Sequence, residues 1–182
     1  MTELQTGDLL FVGSTTEQFS QMIAQSTQPA TETFNYTHVG IVEITTDGVF
    51  VLHASPELGS VRQPLNDFID QQTGSIDVYR LKANPDLMPV IAKANTLLGQ
   101  PYNWSFIASE PGFYCSEFIE TAFSAIENPF KKIAMTFGPD DSILPEWQTY
   151  YAKLGLPVPN GEPGTNPNAL ISNQLERVVR LR

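Results

Sequence analysis

A chain of 182 residues with 41% hydrophobic and 16% charged side chains has the make-up of a globular protein, long enough to bury one core without disulfides or structural metals. Its net charge of −10, with no basic cluster beyond the pair Lys131 and Lys132, opposes binding to nucleic acid or to an anionic membrane surface. No apolar run approaches the ~20 residues of a membrane-spanning helix, and the single cysteine, Cys115, can form no internal disulfide.

The first eleven residues, "MTELQTGDLLF", show neither a basic leader nor an apolar stretch of signal-peptide length. The chain as given reads as cytoplasmic, and as periplasmic or secreted if a leader has been removed. "GDLLFVG" (7–13) predicts a short buried strand, and "EQFSQMIAQSTQ" (17–28) a helix with Phe19, Met22 and Ile23 on one face. "HVGIVEI" (38–44) and "GVFVLHA" (48–54) are rich in β-branched residues and joined by "TTDG", the signature of a hairpin. A short helix is predicted over "PLNDFIDQQ", then a third clear strand, "SIDVYRL" (75–81).

From Pro85 the apolar period becomes helical. "PDLMPVIAKANTLLG" predicts a helix ended by Gly99, "CSEFIETAFSAI" one with Phe118, Ile119, Ala122, Phe123 and Ile126 on a single stripe, and "PEWQTYYAKLG" another. Residues 156–173 hold four prolines, too many for regular structure, yet are apolar at both ends. This segment is expected to wrap the surface along the sheet or cleft edge before "LERVVRL" returns as a final strand. Nothing marks a repeat or a domain boundary, so residues 1–182 read as one domain.

Cys115 stands at the start of a predicted helix, behind a Gly/Pro/aromatic loop. Backbone N–H groups and the positive end of a helix favour the thiolate, the attacking form of cysteine. A neighbouring imidazole would add more by carrying the proton. The only two histidines, His38 and His53, fall on the two strands of the hairpin. A loop of two or four residues puts them on the same face, directly opposed or one diagonal step apart. One ring could then serve as base while the other fixes its tautomer. On residue type alone, a lone free cysteine such as Cys115 is most often a small buried hydrophobe, and the histidines could be ordinary half-buried side chains. A Cys/His/His zinc site is also chemically possible, but the three residues lack the close spacing of zinc motifs. No metal or cofactor is expected.

The stretch "LLGQPYNWSF…GFYCSEFIETAF" resembles the nucleophile segment of the NlpC-type cysteine peptidases of the cell wall, in which an L-G-x-P-Y-x-W loop leads into an F-x-C-S-G helix. Those enzymes carry G-D-L-x-F, S/T-H-V-G-I and x-I-H-A strands after the cysteine. Here "GDLLF", "THVGIV" and "VLHA" keep that mutual order but precede it. The pattern resembles the circularly permuted, papain-like YiiX/YebB-like branch, whose distant relatives include the lecithin retinol acyltransferase group. The resemblance implies an α+β fold, an antiparallel sheet packed against helices. It implies Cys115 as nucleophile, His38 as general base and His53 as the orienting third residue. Tyr102 matches the loop tyrosine that borders the active site, and Trp104 and Ser116 fall beside the expected substrate cleft. Glu117 replaces the usual glycine and Ser105 ends the loop differently, so the peptide specificity need not carry over. Asp8 is read as a structural carboxylate at a strand edge.

The reading is a bacterial thiol hydrolase, an amidase or endopeptidase, that acts through an acyl-enzyme on a small peptide, with peptidoglycan-derived peptides (muropeptides) as the first substrate. Neither nucleic acid nor a stable membrane partner is expected. The rivals are a lipid acyl hydrolase or acyltransferase and a catalytically silent binding module.

Overall fold

The structure, a computed structural model, describes residues 3–30 and 32–182. In chain order its strands are β1 (Leu9–Gly13), β2 (Tyr36–Thr45), β3 (Gly48–Ser55), β4 (Gly59–Pro64), β5 (Ile76–Leu81), β6 (Ile133–Ala134), β7 (Pro163–Gly164) and β8 (Leu175–Arg180). The helices are α1 (Gln18–Thr27), α2 (Leu65–Gln71), α3 (Met88–Thr96), α4 (Cys115–Phe123), α5 (Pro145–Leu154) and α6 (Pro167–Leu170). Six strands form one antiparallel sheet in the order β4-β3-β2-β1-β5-β8, and β6 pairs with β7 apart from it. This is the α+β arrangement expected from the sequence.

Alternation along the strands divides the apolar residues between two layers. On one face Leu9, Phe11, Val39, Ile41, Leu52 and Ala54 pack with Val90, Ile91 and Ala94 of α3 and with Phe118, Ile119, Ala122 and Phe123 of α4. The stripe predicted for the cysteine helix is thus the stripe that docks on the sheet. Burying a side chain such as Phe118 or Phe123, each fully buried, stabilises the fold by roughly 1.5–3 kcal/mol. On the other face Leu10, Val12, Val42, Val51 and Val78 surround Phe68 of α2. A third cluster joins α1 to α5 through Met22, Phe137, Trp147 and Tyr151.

The strand β4 is absent from the sequence expectations. Its residues, "GSVRQP", carry no clean alternation and few β-favouring side chains. It is a strand because six residue pairs, Phe50↔Pro64 to Ser55↔Gly59, tie it to β3. Asp8 behaves as read: it is buried, accepts from Arg80 Nε at 2.6 Å and from a second Arg80 nitrogen at 2.8 Å, and takes the Gln5 N–H at 2.8 Å.

Candidate active site

The helix of Cys115 begins where the sequence places it. Cys115 is the first residue of α4, and the Tyr114 N–H ahead of it is held by the Glu117 carboxylate at 3.4 Å. Glu117, where the resembling family has glycine, therefore helps to close the helix N-terminus. Burial holds its carboxyl above the ordinary range. The Tyr114 hydroxyl in turn accepts the Thr165 N–H at 3.1 Å, which fastens the proline-rich segment to this turn.

The sheet opens where the sulfur lies. Pairing of β2 with β3 runs from Thr45↔Gly48 to Ile41↔Leu52, so residues 36–39 of β2 extend beyond that ladder. Cys115 Sγ sits 4.0 Å from the Thr37 carbonyl oxygen, and the N–H groups of Ser116, Val39 and Cys115 favour its charged form. They do not prevail. Cys115 is only 5% exposed, and burial pushes the thiol up to about 12. The thiol lowered by the helix end, expected from the sequence, is not found, because desolvation outweighs three peptide N–H groups. At neutral pH the resting group is the neutral thiol.

The two-residue loop of the hairpin sets the histidines one diagonal step apart on the same face. His38 Nε2 is 2.9 Å from His53 Nδ1, with the rings nearly perpendicular at 82°. His53 Nε2 is 2.7 Å from Gln63 Oε1 of β4, and Gln63 Nε2 donates to Gln71 Oε1 at 3.1 Å. Phe68 meets the His53 ring edge-on at 5.0 Å and stacks on His38 at 6.1 Å. Burial lowers both imidazoles: His53 to about 4, against a smaller rise from Gln63, and His38 well below its ordinary value, with His53 beside it adding to the effect. Both rings are therefore neutral at pH 7.

Two of the three expected catalytic residues therefore touch directly. The third lies against the backbone of Thr37 and Val39 on either side of His38, and among the described residues no hydrogen bond joins its sulfur to an imidazole. His38 Nδ1 has no protein hydrogen bond there either.

Tyr102 is buried, with its hydroxyl near the Cys115 N–H, and burial holds it far above its ordinary value, so it stays a proton donor. Trp104 is 42% exposed; its ring lies 4.9 Å from Tyr102 and 5.5 Å from Phe19. Ser116 is fully buried, and its hydroxyl accepts a hydrogen bond from Thr165 Oγ1 at 2.9 Å. Its side chain is thus bonded, while its N–H faces the sulfur.

Two cavities meet at Ile23, Thr37 and Tyr102. One, of about 50 Å³, contains Cys115 and is walled largely by apolar groups, among them Phe106, Met135, Phe137, Trp147 and Pro167. The other, of about 180 Å³, contains His38 and His53 and is the more polar of the two, with Glu17, Ser20, Ser55 and Gln71 on its walls. Thr165, Asn166 and Pro167 border the thiol cavity, which puts the 156–173 segment at the cleft edge as expected.

Sequence reasoning missed Gln63, Gln71 and Phe68. All three fall within nine residues, 63–71, which begin inside the strand it also missed. The turn residues Pro56 to Gly59 behind His53 were the available signal for a second hairpin.

The family described as "Permuted papain-like amidase enzyme, YaeF/YiiX, C92 family" matches residues 3–179. A crystal structure of a protein described as the metalloprotein yiiX from Escherichia coli O157:H7, DUF1105, is similar in fold, with a TM-score of 0.79 over 97% of each chain at 24% identity. None of the curated proteins compared matches the chain.

Proposed function

The chain belongs to the permuted papain-like amidase family C92 and is a cysteine hydrolase of the peptidase and amidase type, and from that premise we propose that Cys115, His38 and His53 cleave an amide bond in a small peptide. The observation that carries this reading is the imidazole pair joined at 2.9 Å, of which His38 stands on the strand whose backbone also holds the Cys115 sulfur.

In this mechanism the thiol is activated when substrate binds, and no thiolate need exist beforehand. His38 Nδ1, the nitrogen left free by His53, takes the Cys115 proton as sulfur attacks the carbonyl carbon. Substrate closes the remaining gap between the two groups, a tightening common on passing from a free enzyme to its complex. The oxyanion is met by the Cys115 N–H and the Tyr102 hydroxyl. The tetrahedral intermediate collapses, the C–N bond breaks, and His38 returns its proton to the departing amine. Water, deprotonated by His38, then attacks the thioester and frees the acid and the thiol. His53 holds the far nitrogen of His38 throughout.

A short, soluble substrate fits the small thiol cavity and the net charge of −10. Peptidoglycan-derived peptides are the first candidates, and the whole of 1–182 is taken as a single catalytic domain. The apolar wall of the thiol cavity favours a second reading, in which the acyl group comes from a lipid. Hydrolysis assays on muropeptides, aminoacyl amides and phospholipid vesicles separate them. The peptide reading expects amide cleavage that vesicles do not accelerate, and no co-sedimentation with anionic vesicles. Vesicle-dependent deacylation of a phospholipid would replace it with the lipid reading.

The similar E. coli protein is described as a metalloprotein, but the donors here do not fit a resident metal. The imidazoles are turned toward each other, so that Nε2 of one and Nδ1 of the other share a proton. Among the described residues no three His, Cys, Asp or Glu side chains converge. No step is routed through a metal.

A further inference from the structure

The hydrogen-bond chain does not end at His53. Gln63 is 8% exposed, and its amide bridges two partners: Oε1 faces His53 Nε2 at 2.7 Å, and Nε2 faces Gln71 Oε1 at 3.1 Å. A buried amide between an imidazole and another amide can carry its protons in only two self-consistent directions. In the first, Gln63 Oε1 accepts from His53 Nε2–H; His53 Nδ1 is then bare and accepts from His38 Nε2–H, and His38 Nδ1 is left with a lone pair. In the second the amide is turned, Gln63 donates to His53 Nε2, and His53 Nδ1–H donates to His38. His38 then carries its own proton on Nδ1 and has no basic nitrogen free for the thiol.

We propose that Gln63 is a positioning residue that selects the first direction, so that the amide of β4, three groups away from the thiol, decides whether His38 is a base. The inference rests on the triad reading above. Its geometry is specific: the oxygen of Gln63, not its nitrogen, lies against His53, and the nitrogen is taken up by Gln71. Phe68 packs on both rings and opposes the ring rotation by which the imidazoles could exchange their nitrogens. The block from 63 to 71 thus supplies the acceptor, its anchor and the packing surface. Gln71 is exposed at the mouth of the histidine cavity, so it steadies Gln63 without itself touching an imidazole.

The test is nitrogen NMR of protein labelled with ¹⁵N-histidine, at a pH where both rings are neutral. The chain has two histidines, so two ring systems are read without ambiguity. The wild type is expected to show both rings as the Nε2–H tautomer. Gln63→Leu should shift His53, and with it His38, toward a mixture of tautomers and lower kcat at least about tenfold with little change in KM. Gln63→Glu, which can only accept, should restore the wild-type tautomers. An Nδ1–H tautomer at His53 in the wild type, or unchanged tautomers in folded Gln63→Leu, would overturn the proposal. If the Leu variant does not fold, the wild-type spectrum still decides. The spectrum is independent of turnover, so a chain without peptide hydrolysis but with these tautomers would sink the catalytic reading and leave the relay intact.

Discussion

The sulfur of Cys115 rests 4.0 Å from the carbonyl oxygen of Thr37, one residue ahead of His38. The thiol is thus held by the main chain of the strand that carries His38.

Burial pushes that thiol up to about 12, so alkylation by iodoacetamide should be slow at pH 7. It should rise close to tenfold per pH unit through pH 8 to 11, following the thiolate fraction. A rate already flat below pH 8 would mean a preformed thiolate and a different resting state.

The histidines give an opposite dependence on acid. His53 is held at about 4 in the fold, against an ordinary value near 6.5 when unfolded. Between those values the unfolded chain binds the extra proton, so stability is complete above about 6.5 and is lost as pH falls toward 4, by on the order of 3 kcal/mol. Denaturant titrations at pH 7 and pH 4.5 should show this loss. In His53→Asn the part due to His53 should disappear. The same lowering keeps His38 neutral, so peptide hydrolysis should hold its rate down to pH values at which an ordinary histidine is already charged.

Gly40 leaves room for the side chains of Val51 and His53 on the neighbouring strand. A Cβ there would lie 2.5 Å from Val51 Cγ1 and 3.2 Å from His53 Cβ. Gly40→Ala should cost about 1–3 kcal/mol from overpacking. It should also lower activity by more than its effect on the folded fraction, as measured by denaturation and turnover on the same sample.

Asn168 anchors the proline-rich segment. Its Oδ1 accepts the Tyr36 N–H at 2.7 Å, and its Nδ2 donates to Thr27 O at 3.0 Å and to Asn35 Oδ1 at 3.1 Å. Asn168→Leu strands the buried N–H of Tyr36 at the start of β2 and should cost about 1–3 kcal/mol. Protease cleavage within residues 156–173 should become faster, since this bond network ties the segment to β2 and α1.

What was legible in the sequence follows from these contacts. The stripe Phe118, Ile119, Ala122 and Phe123 is periodic because it faces one flat layer, and so it gave away α4 and its docking face. The diagonal placement of His38 and His53 follows from hairpin arithmetic. By contrast β4 exists through its pairing with β3, so "GSVRQP" showed no strand signal and Gln63 stayed hidden with it. The raised thiol was illegible for another reason: the helix end is local and readable, whereas desolvation comes from burial beside residues far away in the chain, such as Thr37 and Pro167 around the same cavity, which only the tertiary fold assembles.

The central claim is that Cys115 forms the acyl-enzyme, and intact-mass analysis during turnover of an activated acyl ester tests it most directly. The account predicts a single acyl group, mapped by peptide digestion to Cys115, absent in Cys115→Ala, and formed at least about a hundredfold more slowly in His38→Ala. Undiminished hydrolysis by Cys115→Ala, or an acyl group mapped to another residue, would contradict it.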